Sequence, residues 1–225
     1  MSIKTKVLAA AATLTVAGGL STAATLPASA ATTQCGTACV QIFSKMFGTY
    51  ANPGFIESVF QGIPAAGQPT ILHRASNSDP TGDFIVPQAG PVSMFYAEGM
   101  VSPAVNAHYG SEHAVQVEYA PYGQATGLCA AVATIAYQNE GLSLQPCSTP
   151  GTTVFIIDTA DAPAAAPYFP IVNASTTDFT HPFTMTIHAD PAHEPFPQIT
   201  LQRMVANPAH VPDNQLWGAE PGPAH

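Results

Sequence analysis

Three stretches of the chain repeat one order of parts, and this repetition constrains the fold more than any other feature. Each stretch has an apolar run, a turn, a short run ending in leucine, a polar turn and a last run around an aromatic residue. A repeat of this size cannot bury its apolar face alone, so several must share one core. Three repeats that close a barrel would leave no strand edge exposed. The three stretches are residues 55–86, 128–157 and 183–217.

The composition agrees with a β-rich chain. The sequence holds 22 prolines and 17 glycines but few lysines or glutamates, a balance that disfavours long helices. Hydrophobic residues make up 46% of the chain, which is enough to bury a core, so we do not expect disorder. Short runs bounded by turn residues, such as residues 92–96 and 114–119, are predicted as strands.

Residues 1–30 have the pattern of a cleavable secretory signal peptide. Lys4 and Lys6 precede an uncharged apolar stretch, residues 7–20, and residues 27–30 supply a small-x-small cleavage site. The alternative is a membrane anchor, which is disfavoured because the apolar stretch is short and Gly18-Gly19 and Pro27 interrupt its continuation. No later apolar segment of about twenty residues follows. We therefore expect one secreted, extracellular domain, residues 31–225, with no membrane segment.

The predicted mature chain is strongly acidic. Only Lys45, Arg74 and Arg203 would remain against 14 acidic residues, a formal charge of −11. Such a surface repels phosphate backbones, so we do not expect nucleic acid as a partner.

Four cysteines would meet an oxidising compartment after export. Cys35 and Cys39 form a close pair, and Cys129 and Cys147 flank two apolar runs. Sequential pairing into two disulfides is our prediction, although four cysteines allow three connectivities. A zinc site is the alternative, but neither pair has neighbouring ligands at the usual short spacing.

Two motifs resemble the ricin-type β-trefoil family. One is Gly127-Leu128-Cys129 followed by Gly141-Leu142-Ser143-Leu144 and Cys147, and the other is Asn214-Gln215-Leu216-Trp217, which is similar to the family's Gln-x-Trp signature. The chain as a whole also resembles a group of secreted actinobacterial proteins with no assigned activity. The resemblance implies an all-β, β-trefoil-like domain with insertions; a β-sandwich is the alternative. Its core repeats would span about residues 55–98, 127–175 and 183–218.

The third repeat ends soon after Trp217, before a fourth strand. We therefore predict that residues 39–47 supply this strand by pairing with the C-terminal repeat. Residues 99–122 exceed the minimal repeat and are predicted to form an added hairpin.

The resemblance also defines where a sugar would bind. In the family, an Asp from the first strand, an aromatic ring after the second and an Asn before Gln-x-Trp form the site. In this chain the Asp positions hold Ser58, Ala131 and Thr186. The ring positions hold His73, Gln145 and Gln202. At the Asn positions, Asn214 of the third repeat matches the family, whereas the first repeat has Thr81. Because every repeat lacks the full set, ordinary sugar binding at this site is not expected. Asn214, Gln215 and Trp217 remain weak binding candidates, with structural roles as the alternative.

Other chemistry has little support in the sequence. His188, Asp190 and His193 are close enough for a weak metal site, but they lie on a proline-rich loop, and we assign neither metal nor cofactor. No Gly-x-Ser-x-Gly motif is present, and no catalytic residue is assigned.

We therefore expect a secreted, monomeric binding or interaction module whose partner is a glycan or an extracellular protein. The alternatives are a secreted hydrolase with catalytic residues on separate loops and a trefoil-type proteinase inhibitor that uses a loop such as 99–122.

Overall fold

The computed structural model describes residue 35 and residues 38–50, 52–76, 78–163, 167–188, 193–204 and 211–222. The predicted signal peptide, residues 1–30, lies outside them. The strands are β1 Val40–Ser44, β2 Phe55–Val59, β3 Thr70–Arg74, β4 Phe84–Pro91, β5 His113–Tyr119, β6 Leu128–Ala131, β7 Ser143–Pro146, β8 Phe155–Ile157, β9 Ile171–Asn173, β10 Phe183–Thr186, β11 Thr200–Arg203 and β12 Trp217–Pro221. The helices are α1 Val92–Ala97 and α2 Pro103–Tyr109.

Six of the strands form a barrel. Strands β1, β4, β5, β8 and β9 pair in this order, and β12 pairs with β1 on its other side. The barrel closes between β12 and the residues just before β9, where Trp217 of β12 forms an antiparallel β-bridge with Phe169. The expected β-trefoil-like closure is therefore observed, and not the β-sandwich.

The other six strands form three antiparallel hairpins, β2–β3, β6–β7 and β10–β11, which cap one end of the barrel. A ring of backbone hydrogen bonds joins them. Thr70 donates to Leu142 (3.0 Å), Leu142 to Ile199 (2.8 Å) and Ile199 back to Thr70 (3.1 Å). Each hairpin thus contributes one donor and one acceptor, which gives the cap its approximate three-fold arrangement.

The N-terminal strand completes the barrel as predicted. Within residues 39–47, β1 runs antiparallel to β12, with Val40 opposite Pro221 and Ser44 opposite Trp217. The four-strand unit therefore begins at β1, β5 and β9, one strand earlier than the repeat recognised in the sequence, whose first run is the first hairpin strand.

Two predictions about residues 92–122 are wrong. Residues 92–96 form helix α1 instead of a strand, and residues 99–122 hold α2 and β5 instead of an added hairpin. Ser102 starts α2, because its Oγ accepts a hydrogen bond from the Val105 amide (3.2 Å) and Pro103 occupies the first turn. Residue β-propensity in 92–96 was overridden by the packing of this insertion against the barrel wall.

The apolar residues form two cores. The first lies in the barrel and the cap, and it includes the aromatic residue at the end of each predicted repeat, Phe84, Phe155 and Trp217, all at most 2% exposed. The second lies between the helical insertion and the outer face of the barrel, where Val92, Phe95 and Val105 meet Ile156 and Val172, among others. The helices therefore cover one side of the barrel without entering it.

The structure contains both predicted disulfides. Cys35 is paired with Cys39 (Cα–Cα 5.3 Å), and Cys129 is paired with Cys147 (Cα–Cα 4.8 Å). Neither helix of the described chain is long and apolar enough to cross a membrane.

Candidate binding site

A cleft of about 360 Å³ lies on the first repeat, beside the β2–β3 hairpin. Two 3₁₀ turns border it, Phe60–Gly62 after β2 and Pro80–Gly82 before β4. A loop of the third repeat contributes one further side chain. The residues that line the cleft are Val59, Phe60, Gln61, Ile71, His73, Asp79, Thr81 and Phe196.

The polar side of the cleft is built around Asp79. Its Oδ2 lies 3.1 Å from Nδ1 of His73, and its Oδ1 accepts a hydrogen bond from the Thr81 amide (3.0 Å). This position follows from the sequence Asp-Pro, because Asp is a favoured N-cap residue and Pro80 fits the first position of the turn. The carboxylate is therefore held by two partners, and each oxygen retains a lone pair for a ligand.

The aromatic side of the cleft is formed by two phenylalanines. Phe196 is 47% exposed. Its ring lies 5.7 Å from that of Phe60, edge-on, and 5.6 Å from that of His73. The Leu72 amide donates to the carbonyl of Pro197 (2.9 Å), which fixes the loop of Phe196 alongside β3. An exposed ring is thus positioned next to a hydrogen-bonding pair.

Gln61, at the rim of the cleft, adopts a left-handed backbone conformation with φ of 58°. Such a conformation costs a non-glycine residue about 1 kcal/mol or more, so the surroundings must enforce it. Tyr119 contributes, since its hydroxyl donates to the carbonyl of the next residue, Gly62 (3.1 Å). Burial raises the pKa of Tyr119 to about 12, so this donor keeps its proton across the physiological range.

The three weak binding candidates make contacts within the fold. Trp217 is 1% exposed, and its Nε1 donates to the carbonyl of Met185 (2.8 Å). The Gln215 amide donates to Arg203 (3.2 Å), and the Asn214 amide donates to Ile187 (3.1 Å). Their predicted role in binding stays a prediction, whereas their contribution to the β10–β12 region is explicit in these bonds.

In the third repeat, the residues at the positions that the family resemblance assigns to sugar binding are engaged within the protein. Gln202, at the ring position, donates to Oδ1 of Asn139 (2.7 Å) and accepts from the Gln138 amide. Thr186, at the Asp position, is 1% exposed. In the second repeat Ala131 is fully buried. In the first repeat, His73 and Thr81, which stand at family positions, line an open cleft.

The structure describes two of the three candidate metal ligands. His188 and His193 are both exposed, and Asp190 lies outside the described residues. No group of three or more His, Cys, Asp or Glu side chains suited to a metal is found in the described part of the chain.

Asp79, Phe60 and Phe196 are the cleft residues that sequence reasoning missed. Asp79 had no assigned role, although an Asp-Pro step with His73 six residues before it was a usable signal. Phe196 comes from another repeat, and its place beside His73 depends on the three-fold packing of the hairpins.

No protein-family model matches the sequence, and no curated protein matches it. The structure is similar to that of ThreeFoil, a designed three-fold symmetric protein, with a TM-score of 0.52 and 9% sequence identity over 81% of this chain and 98% of that one. It is also similar to the cytolethal distending toxin of Actinobacillus actinomycetemcomitans, with a TM-score of 0.51 and 13% sequence identity over 84% of this chain and 94% of that one. A mosquitocidal holotoxin is also similar (0.50, 8%, 81%), and the chain spans 17% of its length. At such low identities the likeness is one of fold. It supports the trefoil-type resemblance that the strand pairing shows directly.

Proposed function

We propose that the protein is a secreted module that binds a neutral glycan in the cleft of the first repeat. The observation that carries the proposal is the exposed ring of Phe196 beside the hydrogen-bonded pair of His73 and Asp79. The fold alone carries no function, because unrelated activities share such scaffolds.

The chemistry of the cleft suits a sugar. A pyranose presents an apolar C–H face, which can stack on Phe196, and hydroxyl groups around its edge. The Asp79 carboxylate accepts hydrogen bonds, and the ring nitrogen of His73 that faces away from Asp79 can exchange one with a hydroxyl. Such sites hold a wet ligand through a few well-placed polar groups on an apolar wall. The chain carries 14 acidic residues, which disfavours anionic glycans.

Phe196→Ala tests the proposal. Tyr137→Ala is the matched control, because Tyr137 is 49% exposed, against 47% for Phe196, and lies in the second repeat away from the cleft. The folded wild-type protein is first screened on an array of neutral mono- and oligosaccharides. The strongest hit is then titrated by calorimetry into all three proteins.

We expect Phe196→Ala to weaken binding about tenfold, since covering the exposed ring with the apolar face of a sugar should stabilise the complex by about 1.5 kcal/mol. Tyr137→Ala should bind like the wild type. Equal affinity of Phe196→Ala and wild type, or an array without any hit, would contradict the proposal.

The His73–Asp79 pair also favours the hydrolase alternative, because a carboxylate that orients a histidine is one half of a general-base arrangement. Incubation of the same glycan hit with the wild-type protein and with His73→Gln separates the two functions. Glycan that binds and is recovered uncleaved supports the binding module. Products that form with the wild type but not with His73→Gln support the hydrolase.

A further inference from the structure

The interior of the barrel contains a cavity of about 90 Å³. Inward-facing residues of the barrel strands form its wall, among them Ile42, Val117 and Phe155, and residues of the three cap hairpins form its floor. Of the twelve residues that line it, eleven are apolar. The twelfth is Glu57.

Glu57 occupies a three-fold equivalent position at which the other repeats are apolar. In the three hairpins it lies opposite Leu72, as Ala130 lies opposite Leu144 and Met185 opposite Leu201. All three floor residues face the cavity. Glu57 is therefore an acidic residue at a position where the other two repeats have an apolar residue, and its surroundings are apolar.

Burial dominates the surroundings of the Glu57 carboxyl. The residue is 1% exposed, and its Oε1 makes no hydrogen bond. The Thr70 hydroxyl is close enough to lower the pKa slightly, yet it too makes no well-formed hydrogen bond. Burial outweighs this effect and raises the pKa of Glu57 to about 7. A buried acceptor without a partner is costly, and a ligand that donates to it would remove that cost.

The cavity reaches the surface at the end of the barrel opposite the cap. Val86, on its wall, is 40% exposed, and Ala219 is also exposed. A shallow depression at this rim shares Val40, Val86 and Ala219 with the cavity and continues to Glu220. A small molecule can thus enter along an apolar wall and meet Glu57 at the floor.

We propose that the barrel interior binds a small primary alkylamine, whose alkyl chain fills the cavity and whose nitrogen donates hydrogen bonds to the Glu57 carboxylate. The cavity is smaller than the apolar cavity of about 150 Å³ that accommodates benzene, so a straight chain fits better than a ring. The negative charge of the protein attracts a cationic ligand. This site is separate from the cleft of the first repeat and does not depend on the glycan proposal.

The test uses n-butylamine as the probe, with n-butanol and butyrate as ligands of matched length. Affinities are measured with the secreted full-length protein at pH 8 and pH 5.5, and the binding site is located from NMR shifts of the lining methyl groups of Ile42, Val117 and Met185. We expect n-butylamine to bind at least about tenfold more tightly than n-butanol at pH 8, because a hydrogen bond to a charged group is the stronger one. Butyrate should not bind. The preference for the amine should shrink at pH 5.5, where Glu57 is protonated.

Two variants separate the charge from the shape of the cavity. Glu57→Gln keeps the volume and should lose the preference for n-butylamine while retaining n-butanol. Ala130→Leu fills the floor and should exclude both ligands; if it does not fold, Glu57→Gln still decides. Phe196→Ala should leave amine binding unchanged. The proposal is overturned if the wild type does not bind n-butylamine up to millimolar concentration, if Glu57→Gln binds it as tightly as the wild type, or if the shifted methyl groups lie outside the barrel.

Discussion

Glu57 is surrounded by the apolar core of the barrel and has no cationic neighbour among the residues that line its cavity. The cause of its raised pKa is desolvation, opposed only by the Thr70 hydroxyl. Its protonation state therefore affects the stability of the whole domain, because the unfolded chain has no such penalty.

Stability should fall as the pH rises from 5 to 8, and Glu57→Gln should remove most of this loss. The folded-state pKa of about 7 lies above the ordinary value of 4.5, so the folded state binds more protons in this window. The protonated form is stabilised relative to the unfolded chain, and this advantage is lost as the pH passes 7. The difference corresponds to about 3 kcal/mol. Urea unfolding at pH 5 and pH 8 measures it.

Glu194→Gln is the control for this experiment, because it makes the same substitution at an exposed position. Burial also raises the pKa of Asp158, so a slope that persists in Glu57→Gln would point to that carboxyl. If Glu57→Gln shows the same slope as the wild type, Glu57 is not the group that titrates.

At the residue scale, sequence reasoning assigned two residues of the cleft to family positions but did not expect binding there. His73 and Thr81 could be assigned to family positions because they are close to β3 and β4 in the chain. Phe196 is more than a hundred residues away, and its contact with His73 follows from the packing of two repeats. The contact between Phe196 and His73 cannot be read from a single sequence. Nor could Glu57 be recognised as a buried acid before its neighbours in the fold were known.

At the scale of elements, the hairpin β6–β7 combines strand pairing with a covalent link. Cys129 lies in β6 opposite Gln145, and its disulfide reaches Cys147, just after β7. The bond closes a loop with a sequence separation of 18 and thereby limits the freedom of the unfolded chain.

Replacing both cysteines of this hairpin, Cys129→Ala with Cys147→Ala, should lower the free energy of unfolding by about 3 kcal/mol. The matched control is Cys35→Ala with Cys39→Ala, which opens a loop with a separation of only 4 and should cost less. Guanidinium unfolding of both double variants, with disulfides mapped by mass spectrometry, checks the order. A larger loss for the Cys35/Cys39 variant would contradict the loop argument.

Local sequence patterns were sufficient to predict some secondary-structure elements but not others. The strand at residues 39–47 was predictable because the third repeat lacked its last strand. The helix α1 was not, because residues 92–96 have the apolar and aromatic character of a strand. Their helical spacing acquires meaning only where Val92 and Phe95 pack onto the outside of the barrel. The Ser102-Pro103 step before α2 was the helix-start signal that we overlooked.

At the scale of the whole molecule, the repeats are joined into one cooperative unit. The cap hairpins exchange hydrogen bonds in a ring, and β1 joins the N-terminal part of the chain to the C-terminal strand β12. The number of repeats and their closure were predictable from the recurring pattern of leucine and aromatic residues. The point at which the structural repeat begins was not, because the strand order in a closed barrel has no intrinsic start.

The closure between β1 and β12 depends on a close approach at Gly218. This residue lies opposite Phe43, and a Cβ added to it would come within 2.6 Å of the Phe43 ring. Phe43 is fully buried and packs edge-on against Tyr50 and Tyr168, so its ring cannot move without disturbing both. Gly218→Ala should therefore lower the free energy of unfolding by about 1 to 3 kcal/mol, the cost of overpacking a core.

A double-mutant cycle with Phe43→Leu tests whether this crowding is the cause. The smaller side chain should make room for the new methyl group, so the double variant should be more stable than the sum of the single effects predicts. Urea unfolding of the two single variants, the double variant and the wild type gives the free energies of unfolding for the cycle. The Lys45 amide donates to Leu216 (2.9 Å) beside the β1–β12 pair, so its hydrogen exchange shows whether this pair opens with the whole domain. Additive effects would show that Gly218 acts elsewhere. Exchange of Lys45 far faster than global unfolding would show that β1 is a separate, weaker attachment to a barrel that holds without it.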